Sequence, residues 1–354
     1  MEMTKTSMDT PRFVLVTGGA GYIGSHTCLA LIASGFHPVV IDNLSQGHSD
    51  LVQAVGATFF EGELANRALL DEIFGRFPIS AVLHFAAHAH VGESVTDPAK
   101  YYRNNFCNTL TLLEAMQAAR IDRLVFSSSC ATYGVPDTMP IMETTDQRPI
   151  NPYGRSKWFV EQALNDHATA YGLRSVVLRY FNAAGADPQA RLGEDHMPET
   201  HLVPLALFAA AGESKMLDVY GVDYPTPDGS CIRDYVHVTD LASAHVAALK
   251  WLLSGRPGDV FNIGSGRGSS VLEVLDSVRR VTGLEVPVNI APRRPGDPPV
   301  LVADGHKAAS VLGWRPERSD IDAIIADAWR WHLQRHPAGT VHPKTAGEAV
   351  KLTD

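Results

Sequence analysis

The sequence predicts an α/β fold built on a doubly wound parallel sheet, with a smaller, interleaved α/β substrate domain, and three observations carry that expectation. The first is the opening segment RFVLVTGGAGYIGSHTCLALIASGFHPVVIDN: an apolar run from Phe13 to Val16, a glycine turn, a helical pattern from Tyr22 to about Ser34, and a second apolar run from Pro38 to Ile41 that ends on Asp42. The second is the return of buried-strand patterns in AVLHFAA, RLVFSSS and RSVVLRYFN, with helical stretches between them. The third is that these runs end on small or polar residues, as expected where ligands bind at the carboxyl edge of such a sheet.

Within the glycine turn, Gly18, Gly21 and Gly24 are spaced three apart. That spacing suits a tight turn, close approach of a pyrophosphate to backbone N–H groups, and close helix–strand packing in a Rossmann unit. Glycines alone serve an ordinary turn equally well; the acid ending the next strand makes the segment a dinucleotide site. Asp42 stands where a carboxylate accepts hydrogen bonds from an adenosine ribose and repels a 2′-phosphate, so the expected cofactor is NAD rather than NADP. A second glycine stretch, NIGSGRGSS around Gly264, has no acid-ended strand at the proper distance and is read as a turn between a strand and the next helix.

Size and composition bound what such a fold does. With 354 residues, 45% hydrophobic and 19% charged, the chain is long enough for a large globular domain with a smaller one beside it. A formal charge of -9 argues against a general affinity for nucleic acid or anionic membranes, so neither is an expected partner. Cys28, Cys107, Cys130 and Cys231 are scattered, without the paired spacing of zinc or redox motifs. No secretory signal or membrane-length apolar run is read, and a cytoplasmic location with reduced thiols is expected.

The stretch NPYGRSKWFVEQA sets Tyr153 and Lys157 four residues apart at the head of a predicted helix. On spacing alone, ordinary decoration of one helix face explains the pair better than chemistry does. Context changes that reading. TGGAGYIG, SSSCATYG and YGRSK, in that order, resemble the extended short-chain dehydrogenase/reductase family. HFAAHAHVGESVTDPAKYYRNN, RYFNAAGADP, DYPTPDGSCIRDYVHVTDLA and APRRPGDPP narrow the likeness to members that invert C4 of a UDP-sugar, over roughly residues 12–335.

The resemblance implies that Ser129, Tyr153 and Lys157 act together on a sugar hydroxyl. Tyr153 is the base, its phenol (ordinary pKa ~10) lowered by the Lys157 ammonium and the nicotinamide ring. Lys157 also holds the nicotinamide ribose, and Ser129 hydrogen-bonds the reacting oxygen. NAD contacts are implied at Gly18, Gly21, Tyr22, Ile23, Gly24, Asp42, Asn43, Glu63, Leu64, Phe85, Ala86, Ala87, Asn105, Ser127 and Phe181, besides Tyr153 and Lys157. On the substrate side the resemblance places Arg233 and Arg294 on the UDP diphosphate, Asp297 on the uridine ribose and Tyr220 against the uracil. Asn182, His201, Leu202, Asp218 and Leu301 complete that pocket by the same likeness.

The implied reaction is oxidation at C4 to a 4-keto sugar and re-reduction on the opposite face, with NAD unconsumed. Dehydratase relatives carry an Asp-Glu pair after the catalytic hydroxyl residue; here Cys130 and Ala131 follow Ser129. UDP-glucose and UDP-galactose are the expected substrates, with UDP-xylose/UDP-arabinose or UDP-N-acetylhexosamines as alternatives, and a non-catalytic NAD sensor as the alternative of another class. Four positions depart from the usual pattern: Glu63 for an Asp at the adenine, Ala89 for a Lys, His201 for an Asn and Leu301 for a Tyr. His84, His88 and His90 share no dictated focus, and no metal is expected.

The larger domain is expected at 11–182 plus 236–264 and the smaller at 183–235 plus 265–335, with 1–10 and 337–354 as loose termini. A closing helix is read in DIDAIIADAWRWHLQ, with Trp329 and Trp331 on different faces. By resemblance the chain is a homodimer, joined through helices near 100–119 and 153–171.

Overall fold

The computed structural model describes residues 12–294 and 296–337, so the termini expected to be loose lie outside the described residues, apart from Pro337. Strands and helices first alternate as β1 (Arg12–Thr17), α1 (Tyr22–Ala33), β2 (Phe36–Asp42), α2 (Ser49–Val55), β3 (Thr58–Glu61), α3 (Arg67–Arg76) and β4 (Ile79–His84). Next come α4 (Val91–Thr96), α5 (Pro98–Tyr101), a π-helical segment (Tyr102–Cys107), α6 (Asn108–Ala118), β5 (Arg123–Ser129), α7 (Pro152–Tyr171) and β6 (Arg174–Tyr180). Then follow β7 (Asn182–Ala184), α8 (Leu202–Ala210), β8 (Leu217–Tyr220), β9 (Ile232–His237), α9 (Val238–Leu253) and β10 (Asp259–Ile263). Last are β11 (Gly268–Ser270), α10 (Val271–Thr282), β12 (Val288–Ala291), β13 (Val300–Leu301) and α11 (Ile321–Arg335).

Seven parallel strands form the main sheet in the order β10-β6-β5-β4-β1-β2-β3. The chain winds outward from β1 in one direction through β3 and in the other from β4, which opens a crevice at the carboxyl ends of β1 and β4. Both faces of the sheet are covered, which is why its strands read as continuous apolar runs rather than alternating ones. Val14 and Val16 pack with Cys28 and Leu31 of α1 and Leu241 and Leu249 of α9, while Leu15 between them packs with Leu70, Leu112 and Val160 of α3, α6 and α7. Each such fully buried side chain contributes roughly 1.5–3 kcal/mol.

The second lobe is built from shorter pieces. β9 pairs with β7 and β13 in parallel and with β11 antiparallel, and β8 pairs with β12 in parallel. Its core joins Val203 and Leu207 of α8, Val274 and Val278 of α10, and Ile324 and Ile325 of α11. Trp331 lies in a separate cluster with Leu51, Ala186 and Leu192, whereas Trp329 packs on the α8–α10–α11 core, so the two rings do take different faces.

Two local details differ from the sequence reading. The helix expected near 100–119 is broken into α5, the π segment and α6, an insertion that packs Asn105 inward. The stretch after Gly264 is more than a turn, because Gly268–Ser270 adds an edge strand to β9 before Ser270 and Glu273 cap α10 reciprocally.

Candidate active site

The glycine loop joins β1 to α1, and its geometry admits only glycine at two positions. Gly18 has φ 73°, and a Cβ there would lie 2.5 Å from the Ala86 nitrogen; one on Gly24 would lie 2.2 Å from the Gly18 oxygen. Helix α1 then starts on Gly21 with no side-chain cap and no acid in its first turn. Its first-turn N–H groups are left for another acceptor, and an anion such as a pyrophosphate fits both the donors and the helix dipole. The residues present therefore suit a dinucleotide.

Asp42 ends β2 beside this loop, and its carboxylate accepts from the Ala20 N–H at 3.0 Å and the Leu44 N–H at 2.8 Å. Burial raises its pKa against the pull of those two hydrogen bonds. The Asn43 amide donates to Glu63 at 3.1 Å, which brings the two predicted adenine-side residues together, with Leu64 buried behind them. After β4, the N–H groups of Phe85 and Ala86 both donate to the Thr17 carbonyl, at 2.9 and 3.1 Å, and Ala87 is half-buried. Asn105 fixes the chain that follows: it accepts from the His88 N–H at 2.8 Å and donates to the His88 carbonyl at 2.9 Å and Ser156 at 3.0 Å.

Ser129 sits at the carboxyl end of β5 and Tyr153 in the first turn of α7, whose start is fixed by Pro152 and by Asn151 accepting from the Gly154 N–H at 2.8 Å. The Ser129 hydroxyl accepts from the Ala131 N–H at 3.1 Å and lies near enough to the Tyr153 phenol to favour its ionised form. Lys157, one turn on, donates to the Ser127 carbonyl at 2.8 Å and lies 5.1 Å from the centre of the Phe126 ring. The Ser127 hydroxyl is in turn 3.0 Å from His245, whose ring packs 4.5 Å from Phe85. Phe181, also buried, closes β6 and donates its N–H to the Ile263 carbonyl at 3.2 Å.

In the protein without the cofactor, the surroundings of Tyr153 and Lys157 do not by themselves lower the phenol. Burial pushes the Tyr153 phenol up to about 12, and Ser129 only partly offsets it. Burial also draws Lys157 down to about 7, with Glu161 opposing. The lysine is held against the β5 backbone in an apolar setting, so within the protein desolvation outweighs the lowering of the phenol expected from Lys157.

Glu161 is a residue that sequence reading missed. It accepts from Ser128 at 2.5 Å, Arg179 at 2.6 Å and Gln147 at 2.9 Å, and Arg179 continues to Tyr133 at 3.0 Å. This buried network clamps α7 to β5 and β6. Its signal was present: Tyr153, Lys157 and Glu161 repeat every four residues along one helix face.

Of the residues expected on the substrate side, Asn182, Arg233, Asp297 and Leu301 lie on or beside β9 and β13, whereas Asp218 and Tyr220 lie on β8. Asn182 pairs with Tyr235, and Leu301 with Arg233, in adjacent ladders. Arg233 is buried and ion-paired with Asp297, and it also donates to the Ile232 carbonyl at 2.7 Å. The Arg294 guanidinium lies over the Tyr220 ring at 4.0 Å. Asp218 is exposed and accepts from Asn289 at 2.8 Å, tying β8 to β12. Leu301 packs beside Cys130, Tyr133 and Phe181, near the reacting end of the site. Leu202 opens α8 and packs on the smaller core.

Among the histidines, His84 is a satisfied core residue, 2.6 Å from the Thr17 hydroxyl and 2.8 Å from that of Thr109. His201 instead joins Glu194, His196 and Glu199, a grouping that sequence reading did not single out. Burial lowers the His201 pKa, but the facing Glu194 and Glu199 raise it well above its ordinary value.

Known proteins share this sequence pattern and fold. Residues 14–264 match the NAD dependent epimerase/dehydratase family. The UDP-glucose 4-epimerase of Rhizobium meliloti is 53% identical over 326 residues, 92% of this chain and 98% of its own. A crystal structure of UDP-glucose 4-epimerase from Brucella ovis in complex with NAD is 54% identical, with a TM-score of 0.88 over 90% of this chain and 98% of that one. Another, from Stenotrophomonas maltophila with bound NAD and formylated UDP-arabinopyranose, is 41% identical, with a TM-score of 0.89 over 92% of this chain and 98% of that one. With a match across most of its length and close kinship over nearly all of it, the chain belongs to the NAD dependent epimerase/dehydratase family.

Proposed function

We propose that the protein is an NAD-dependent UDP-sugar 4-epimerase acting on UDP-glucose and UDP-galactose. The observation that carries this reading is the convergence of Ser129, Tyr153 and Lys157 at the carboxyl edge of the sheet, beside an uncapped helix N-terminus fit for a pyrophosphate. The relatives named UDP-glucose 4-epimerase support the same substrate pair.

When bound, NAD supplies a two-electron acceptor for C4 and a positive ring beside the phenol. Beside that ring, phenolate is favoured against the burial that raises the phenol in the protein alone. As phenolate, Tyr153 accepts the O4 proton as C4 is oxidised and returns it when the 4-keto group is reduced on its other face. Ser129 holds the reacting oxygen, and Lys157 meets the nicotinamide ribose. Arg233 and Arg294 grip the diphosphate, so the hexose is free to turn while the nucleotide stays anchored. Cys130 and Ala131, following Ser129, supply neither the acid nor the base that elimination across C5 and C6 requires.

In this reading residues 11–182 plus 236–264 hold the cofactor, and 183–235 plus 265–335 hold the sugar nucleotide. A homodimer through α6 and α7 is supported by the half-buried Tyr102, Phe106, Trp158 and Phe159, whose rings cluster between these helices. Four free cysteines agree with a cytoplasmic setting.

The test is incubation of the purified protein, without added cofactor, with UDP-hexoses, UDP-N-acetylhexosamines and UDP-pentoses, followed by chromatographic separation. Interconversion of UDP-glucose and UDP-galactose is the expected result. Bound NAD with no turnover of any UDP-sugar would favour the non-catalytic sensor instead.

A further inference from the structure

The loop from β7 to α8 brings together four side chains whose common feature is a ligand atom aimed at one point. Glu194, His196, Glu199 and His201 each offer one donor atom, and all four atoms lie within 4.8 Å of one another. His201 Nδ1 is 2.6 Å from Glu194 and 3.3 Å from Glu199, and His196 Nδ1 is 3.2 Å from Glu194 and 3.8 Å from Glu199. Donors placed about 2.0–2.2 Å from a tetrahedral zinc ion are themselves separated by roughly 3.3–3.5 Å. The observed separations straddle that value.

Hydrogen bonding does not account for this grouping. Both Nδ1 atoms are buried, yet neither makes a hydrogen bond of acceptable geometry to the carboxylates it faces. Both glutamates are also buried. With both imidazoles neutral, as metal ligands must be, the two carboxylates leave two negative charges for a divalent cation to balance, in place of the proton that the glutamates otherwise hold on His201.

The loop is held ready from both lobes. Glu199 Oε1 accepts the N–H groups of Thr200 at 2.6 Å and His201 at 2.8 Å, which fixes its carboxylate. The Glu194 carbonyl accepts from the Trp331 indole at 2.9 Å. His48 contacts the Asp195 carbonyl at 2.8 Å, and the His196 ring meets Tyr22 edge-on at 6.3 Å.

We propose that Glu194, His196, Glu199 and His201 form a structural site for a divalent transition-metal ion of the zinc class, which ties the loop to the N-terminus of α8. Imidazole with carboxylate in a four-donor set favours zinc over magnesium or calcium, which prefer six or more oxygen donors. Site closure by four protein donors makes the ion structural rather than catalytic, whatever sugar the enzyme turns over.

The test uses the full, tag-free chain, treated with a chelator and dialysed. Zn2+ alone is titrated in against a chromogenic chelator, and Co2+ is then added to a second sample and its visible spectrum recorded. One saturable equivalent per chain is expected, with the intense bands of tetrahedral Co2+ displaced by Zn2+. His196→Ala and Glu194→Gln should each lose that equivalent. Thermal unfolding of the parent should shift upward with Zn2+, and that of Glu194→Gln should not. Absence of a saturable equivalent in the parent, or its persistence in a folded His196→Ala variant, overturns the site and leaves two histidinium–glutamate pairs in its place. The parent titration decides the matter even if a variant misfolds.

Discussion

Tyr153 lies where burial keeps its proton on, with a pKa pushed up to about 12, while Ser129 stands ready to stabilise the phenolate. A Tyr153→Phe variant keeps the ring and its packing and loses only the titrating oxygen. It should retain the fold and bound NAD but lose ~10²–10⁴-fold in turnover, the usual worth of a positioned acid–base group. Chromatographic assay on UDP-galactose checks this, and parental turnover in the variant would remove Tyr153 from the reaction. Lys157 gives a second expectation. Burial draws it to about 7 from an ordinary 10.5, so between those pH values the unfolded chain binds more protons than the folded one. Stability of the NAD-stripped protein should therefore gain from this residue as the pH climbs from 7 toward 10.5, by ~1.4 kcal/mol for each step of one in pH, with no further dependence on this residue below pH 7. Urea unfolding at pH 7 and pH 9 should show a steeper rise for the parent than for Lys157→Met; equal slopes would mean the amine is not held neutral. The sequence made Tyr153 and Lys157 legible through the motifs around them rather than through their spacing alone. It placed Glu161 on the same helix face but hid its partners Ser128, Gln147 and Arg179, which come from separate segments, and it hid the Glu194–His201 grouping, whose irregular loop has no periodicity to read.

At the level of elements, the β1–α1–β2 unit was the most legible part of the chain, because each of its features answers to a local rule: strand, glycine turn, uncapped helix, acid-ended strand. Gly24→Ala tests how tightly that unit is built. The new methyl would sit 2.2 Å from the Gly18 oxygen, and backbone rather than a yielding side chain stands in its way. Loop and helix must part, so bound NAD should be lost from the purified variant while the second lobe stays folded; cofactor absorbance and circular dichroism together report both. Undiminished NAD would show that the loop does not seat the pyrophosphate. The broken helix at Tyr102–Cys107 was not legible, since the pattern there continues a helix and the extra turn width answers to tertiary contacts of Asn105 with His88 and Ser156.

Across the whole molecule, the two lobes meet where β7, β9 and β13 lie beside the carboxyl end of β6, and in the proposed reading the sugar lies there. Leu301 packs with Phe181 and Tyr133, and by the family resemblance it stands where a bulkier tyrosine is expected. Activity on UDP-N-acetylglucosamine is expected, and Leu301→Tyr should reduce it more than activity on UDP-glucose; equal losses would show that the neighbours fill the gap. The outward order of the sheet followed from the strand–helix alternation, but the pairing of three short strands, β7, β11 and β13, with β9 did not, because each is too short to carry a period. The central claim is that oxidation and reduction occur at one carbon within one closed site. Its most direct test is turnover of UDP-galactose carrying deuterium at C4, in ordinary water, with the product analysed by mass spectrometry and NMR. The account predicts UDP-glucose with the deuterium still on C4 and no free NADH released. Loss of the label to solvent, or its appearance on another carbon, would contradict it.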